Sequence, residues 1–214
     1  DQLKGELRAH VAKTKAVLVA ELARIDARDA RSEARRHEDR SDRMEQLAHT
    51  DHLTGLPNRR AFTSRWEDAL ARSARRGHPI GLMLIDADHF KDVNDSMGHV
   101  MGDSVLRAIG ATLLAVSKSA DVVARLGGDE FALGITHVDG AGLLAVAEDI
   151  RQRFGLAAAA LGVKTTLSIG IASSEDCARH ELLADADKGL YLTKHAGGDS
   201  ARLFACVPAK VDER

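Results

Sequence analysis

The 214-residue chain reads as an α+β domain preceded by one long helix, and three observations predict this. Downstream of Pro57, apolar runs of strand length alternate with segments of helical period. A glycine pair, Gly127-Gly128, separates two short β-type runs, residues 122–125 and 131–135, as a hairpin turn does. Between Glu6 and Thr54 there is no Gly or Pro, and Ala, Arg, Glu and Leu dominate.

The elements follow in order. Residues 1–50 form one helix. Leu7, Val11, Thr14, Leu18 and Ile25 fall near heptad spacing, although Glu21, with Leu22 beside it, makes the seam imperfect. Residues 27–43 are nearly all charged or alanine, and Met44 and Leu47 restore an apolar face. Such a helix is either a solvated single helix, ordered by pairs such as Glu33–His37 and Asp39–Arg43, or a two-helix stalk joining two chains. The stalk is the expectation here. Pro57-Asn58 opens a second helix running through Arg75 and closed by Gly77 and Pro79. Residues 80–86 are a buried strand, and residues 102–117 a helix. The glycine hairpin comes next. A helix over 140–154, a strand over 165–171, a helix over 182–195 and a last strand near 202–205 complete a sheet with helices on one face. The expected division is therefore 1–50, a stalk, and 51–214, the globular domain.

Composition narrows the function. A net charge of −2 argues against a general nucleic-acid binder, which carries a strong basic excess. The two cysteines, Cys177 and Cys206, have no metal-type spacing and suit a reduced, cytoplasmic protein. No apolar run approaches the ~20 residues of a membrane helix, and no signal peptide is visible. The chain opens at Asp1 within a helical pattern, so a longer protein with an upstream sensor is expected.

The chemistry lies in two acidic clusters. At the hairpin tip, Gly127 and Gly128 accept the backbone angles of a tight turn and leave room for a phosphate to approach. Asp129 and Glu130 follow with hard oxygen ligands. Asp86 stands at the end of the first strand, where a third carboxylate would complete the protein's share of a divalent-ion shell. Lys91, one short turn later, suits a phosphate. Asn94 and Asp103 offer an amide and a carboxylate of the kind that reads a guanine edge, Asp accepting from N1–H and N2–H. A lone Gly-Gly-Asp-Glu turn is weak evidence; the accompanying motifs change that.

The chain resembles the GGDEF family of diguanylate cyclases from Asp51 to about Phe204. The resemblance rests on Asp51-His52-Leu53-Thr54-Gly55-Leu56-Pro57-Asn58-Arg59-Arg60 and on Asp86, Asp88, Phe90, Lys91, Asn94, Asp95, Gly98, His99, Gly102 and Asp103 in their spacing. It continues through Gly127-Gly128-Asp129-Glu130-Phe131, Ser168-Ile169-Gly170-Ile171-Ala172 and Ala186-Asp187-Lys188-Gly189-Leu190-Tyr191. It implies a palm-like fold with a mostly antiparallel sheet, shared with nucleotidyl cyclases and polymerases. It also implies that two GTP molecules become cyclic di-3′,5′-GMP and two pyrophosphates in a homodimer joined through the N-terminal helix, each subunit holding one GTP. Two Mg²⁺ or Mn²⁺ ions per GTP are implied, with Asp86, the Ala87 carbonyl, Asp129 and Glu130 as ligands.

The resemblance further makes Asp129 a general base or bridging carboxylate, its division of labour with Glu130 left open. Lys91 would neutralise phosphate charge. Phe90, Asn94, His99, Asp103, Gly127 and Gly128 would bind substrate, and Lys194 would reach the terminal phosphates or else be a solvated lysine at a helix end. Asp103 is also read as a helix N-terminal carboxylate. Three positions depart from the family pattern. Its inhibitory R-x-x-D is Lys118-Ser119-Ala120-Asp121 here, which keeps charge but loses the planar fork. Its G-R-N after the lysine is Gly197-Gly198-Asp199, and Gly189 replaces a usual alanine. The competing reading is a catalytically silent domain that binds GTP or cyclic di-GMP as a signalling module.

Overall fold

A computed structural model describes residues 49–205. Residues 1–48 of the stalk expected over 1–50, and the dimer through it, lie outside the described residues.

Asn58 caps the first helix, α1 (Arg59–Arg76), its side-chain oxygen accepting from the Ala61 N–H at 3.1 Å, and Gly77 ends it at φ 68°. Strand β1 (Ile80–Ala87) follows and is buried at every position. The short helix α2 (Phe90–Met97) and the longer α3 (His99–Val116) come next, joined at Gly98. Strands β2 (Val122–Gly127) and β3 (Glu130–Thr136) form the hairpin. Helix α4 (Gly140–Ala160), strand β4 (Leu167–Ser173), helix α5 (Leu182–His195) and strand β5 (Ala201–Phe204) complete the domain. The sheet order is β2-β3-β1-β4-β5, antiparallel except for the parallel β4–β5 pair.

Helices cover both faces of this sheet, not one. A strand sends alternate side chains to opposite faces, and β1 is apolar at both sets of positions. Ile80, Leu82 and Leu84 pack with Phe62, Trp66 and Ala69 of α1 and with Leu182 and Ala186 of α5. Met83, Ile85 and Ala87 pack with Val105, Ile109 and Leu113 of α3 and with Leu143, Ile150 and Phe154 of α4. Among the described residues α3 alone is long and apolar enough to cross a membrane, and its buried apolar positions Val105, Leu106, Ile109 and Leu113 belong to this second core.

The departure at Gly189 has a packing counterpart. A Cβ on Gly170 of β4 would lie 2.1 Å from both Ala186 O and Leu190 N of α5, so helix and strand are in backbone contact. On Gly189 it would meet Arg202 O at 3.1 Å and Ile171 N at 3.3 Å. The helix propensity lost at Gly189 is set against a close approach that a side chain would obstruct.

Candidate active site

Strand alternation decides which carboxylates meet. Asp86 follows Leu84 on the face covered by α1 and α5, and its cross-strand partner on β3 is Glu130. The turn places Asp129 beside them. Gly127 and Gly128, at φ 149° and 52°, allow the chain to reverse there, and the register shifts between Arg125 and Gly127. A cavity of about 410 Å³ opens at this end of the sheet, walled by Asp86, Phe90, Lys91, Asp129 and Lys194 and by the Gly197-Gly198 loop. Asp86 and Asp129 therefore line one cavity together with Ala87, Phe90, Lys91 and Lys194, while Glu130, the cross-strand partner of Asp86, stands beside it at the pocket lined by Arg59.

Asp86 is only 6% exposed. Burial pushes its carboxyl up to about 6; Lys194 opposes the shift, and the neighbouring charges of Asp129 and Glu130 add to it. Lys194 Nζ lies 2.6 Å from Asp86 Oδ1, although that buried oxygen has no well-aligned hydrogen-bond donor. Lys194 is thus neither a plain solvated lysine nor, in this structure, a free arm: it is ion-paired with Asp86. The hard-oxygen donor set and the incompletely satisfied Oδ1 fit a divalent cation. Among the described residues no three His, Cys, Asp or Glu side chains stand close enough to form a ready-made metal centre, so phosphate oxygens or water would have to finish the shell.

Asn94 and Asp103, expected on neighbouring turns with only the second in a helix, fall on two successive helices. The predicted 102–117 helix begins earlier, at His99, and α2 precedes it. Asp103 is then the fifth residue of α3, beyond the first turn, and is not a helix N-terminal carboxylate. Gly98, at φ 82°, breaks what would otherwise be continuous helix. Asn94 of α2 lies against the first turn of α3, where a Cβ on Gly102 would meet its Oδ1 at 2.0 Å and the Phe90 ring at 3.2 Å. Asp103 is half-buried, with Arg107 3.9 Å away, and His99 is exposed.

Several residues that shape the site escaped the sequence reading as functional positions. Asp88 is buried and accepts from Thr166 Oγ1 (2.7 Å), Ser168 Oγ (2.6 Å) and the Asp199 N–H (2.9 Å), which ties the Gly197-Gly198-Asp199 loop to the end of β1. Gly198 adopts φ 75° directly over the Asp88 carboxylate, where a Cβ would approach to 2.8 Å. Arg151 of α4 holds Asp199 through its carbonyl and carboxylate at 2.5 and 2.6 Å. The signal for Asp88 was its strict place after Asp86; nothing local marked Arg151.

Two arginines grip the hairpin. Arg59 donates through Nε to the Leu126 carbonyl (3.0 Å), at the register shift, and through Nη2 to Glu130 Oε2 (3.2 Å). Arg125 donates to Gly128 O through Nε and Nη2 (2.9 and 2.7 Å) and to both oxygens of Asp51 through Nη1 (3.0 Å each). Asp51 also accepts from the Thr54 N–H and Oγ1. Burial raises the Asp51 carboxyl, but the Thr54 and Arg125 hydrogen bonds outweigh it and hold it below the usual range.

Away from the cavity, Asp121 is occupied locally, accepting from the Lys118 N–H (2.8 Å) and the Thr136 N–H (3.3 Å), while Lys118 is exposed.

The family profile described as "Diguanylate cyclase, GGDEF domain" matches residues 48–200. The diguanylate cyclase TpbB of Pseudomonas aeruginosa is 37% identical over 174 residues, covering 78% of this chain and 40% of that protein. The response regulator PleD of Caulobacter vibrioides is 36% identical over 159 residues, covering 71% of this chain and 35% of PleD. The chain thus spans about two fifths or less of the length of these curated relatives. Among solved structures, the coiled coil and GGDEF domain of DgcB from Caulobacter crescentus, in complex with c-di-GMP, matches at a TM-score of 0.74 and 29% identity, over 87% of this chain and 98% of that one. With the signature hairpin, the converging carboxylates and these matches together, the chain belongs to the GGDEF-domain family of diguanylate cyclases.

Proposed function

We propose that this chain joins two GTP molecules into cyclic di-3′,5′-GMP with release of two pyrophosphates, acting as a dimer with one GTP on each subunit. The observation that carries the reading is the meeting of Asp86 and Asp129 at one cavity with Lys91 and Lys194, with Glu130 paired across the strands to Asp86. In the reaction the 3′-oxygen of one GTP forms a bond to the α-phosphorus of the other, and the bond to pyrophosphate breaks. Bound Mg²⁺ or Mn²⁺, two ions per GTP, would polarise the α-phosphate and acidify the attacking hydroxyl.

The chain's own residues do the rest. Asp86, Asp129 and Glu130, with the Ala87 carbonyl, supply hard oxygens, and Asp129 or Glu130 takes the hydroxyl proton. The first N–H groups of α2 have no acceptor within the helix, and with Lys91 and Lys194 they suit phosphate oxygens. Asn94 and Asp103 read guanine across α2 and α3, with Phe90 and His99 beside them. Because a single domain holds one GTP, two must face each other. With GTP as substrate the domain would work in the cytoplasm. Lys118 in place of arginine, and an Asp121 committed to its own turn, support weak product inhibition.

Incubation with GTP and Mg²⁺, followed by chromatography of the products, tests the reading. Cyclic di-GMP should form, and Asp129→Ala should abolish it while leaving the circular dichroism spectrum unchanged. A silent binding module would give no product in either case, and the presence of both signature carboxylates speaks against it.

A further inference from the structure

The ion pair between Lys194 and Asp86 has consequences for how the site fills. Asp86 is 6% exposed, whereas the Lys194 side chain is 43% exposed, at the last turn of α5. The ammonium thus reaches in from solvent on a flexible four-carbon stem. It neutralises Oδ1 at 2.6 Å without the alignment of a good hydrogen bond. A divalent ion bound to the same oxygen would sit at roughly 2.0–2.6 Å, so ammonium and metal would compete for it and repel each other at close range.

We propose that Lys194 is a stand-in cation that makes the site select a metal–nucleotide complex over the free metal ion. A metal ion arriving alone must either displace the ammonium into water or sit beside it as a second cation. A metal arriving with a triphosphate brings anionic oxygens that receive Lys194 in the same cavity. Metal and nucleotide affinities are then coupled, and the coupling is reciprocal. This inference rests on the proposed GTP site and goes beyond it, because a lysine that served only to bind phosphate would leave binding of the metal alone unchanged.

The test titrates Mn²⁺ by electron paramagnetic resonance into the whole chain at pH 8, with and without guanosine 5′-(α,β-methylene)triphosphate, which cannot react at the α-phosphorus. Without nucleotide, Lys194→Met should bind Mn²⁺ about tenfold more tightly than the wild type, the scale expected for removing one nearby like charge from a part-exposed site. With the analogue present the gain should vanish or reverse. Lys194→Arg keeps the charge and should behave as the wild type without nucleotide. Equal or weaker nucleotide-free binding by Lys194→Met, alongside normal Mn²⁺-analogue binding by the wild type, overturns the stand-in role alone. Failure of the wild type to bind Mn²⁺ even with the analogue overturns the GTP site, and this inference with it.

Discussion

Replacing Asp51 with alanine should loosen the signature hairpin from a distance. Asp51 and Arg125 have side chains only 16% and 12% exposed, and Arg125 spans from that carboxylate to the Gly128 carbonyl. The substitution removes both Arg125–carboxylate contacts and both Thr54 contacts. A hydrogen bond to a charged group contributes about 1.5–3 kcal/mol, and breaking a fully buried pair costs about 3–5 kcal/mol. Arg125 keeps its Gly128 contacts and some water, so a loss of about 3 kcal/mol is expected. At roughly 2–4 °C per kcal/mol for a chain of this size, the melting temperature should fall by about 6–12 °C. Thr54→Val, which removes the hydroxyl's contact with Asp51 and its long one from the Leu56 N–H, should cost about 1 kcal/mol.

The pH dependence supplies a second check. The folded carboxyl lies below its ordinary value of 3.8, so its contribution is present above 3.8 and is lost as pH falls through the lower, folded value. The wild type and Asp51→Ala should therefore differ at pH 7 and converge in strong acid. Thermal unfolding by circular dichroism measures both. A shift under about 2 °C, or one matched by Thr54→Val, would refute the clamp.

Asp86 should show the opposite sign. Its folded carboxyl is raised from 3.8 to about 6, so its favourable contribution is present below 3.8 and lost as pH rises through 6. In metal-free buffer Asp86→Asn should melt above the wild type at pH 7 and match it near pH 4, as scanning calorimetry would reveal. Gly170→Ala should cost about 3 kcal/mol in urea unfolding, because its Cβ would strike backbone atoms of α5 that cannot yield. Gly189→Ala, with contacts of 3.1–3.3 Å, should cost less. Arg59→Ala should change stability by under about 1 kcal/mol, since its pair with Glu130 is exposed, yet lower kcat with little change in the KM for GTP. An unchanged kcat would remove Arg59 from the positioning of Glu130.

The sequence alone determined the signals that are local. Asn58 and Gly77 bracketed α1, the apolar run of β1 set the strand, and the glycine pair set the hairpin. Motif spacing singled out Asp86, Lys91 and Asp129, which the fold brings to one cavity, and Glu130, which it pairs across the strands with Asp86. Helix α2 was missed because it is only eight residues long and buries only Val93: Phe90, Val93 and Met97 do fall at helical spacing, but the run is shorter than the window over which that period is read. The placing of helices on a single face failed because a strand apolar at both sets of positions does not reveal what covers each side. Only tertiary structure decided the long-range contacts: Arg59 on Glu130, Arg125 on Asp51, Arg151 on Asp199 and Lys194 on Asp86, separated by 71, 74, 48 and 108 residues. A charged side chain far along the chain carries no local mark of its partner, because that partner is set by how strands register and helices dock. Local propensity records backbone preference, whereas these ion pairs exist only once the sheet has brought distant elements together.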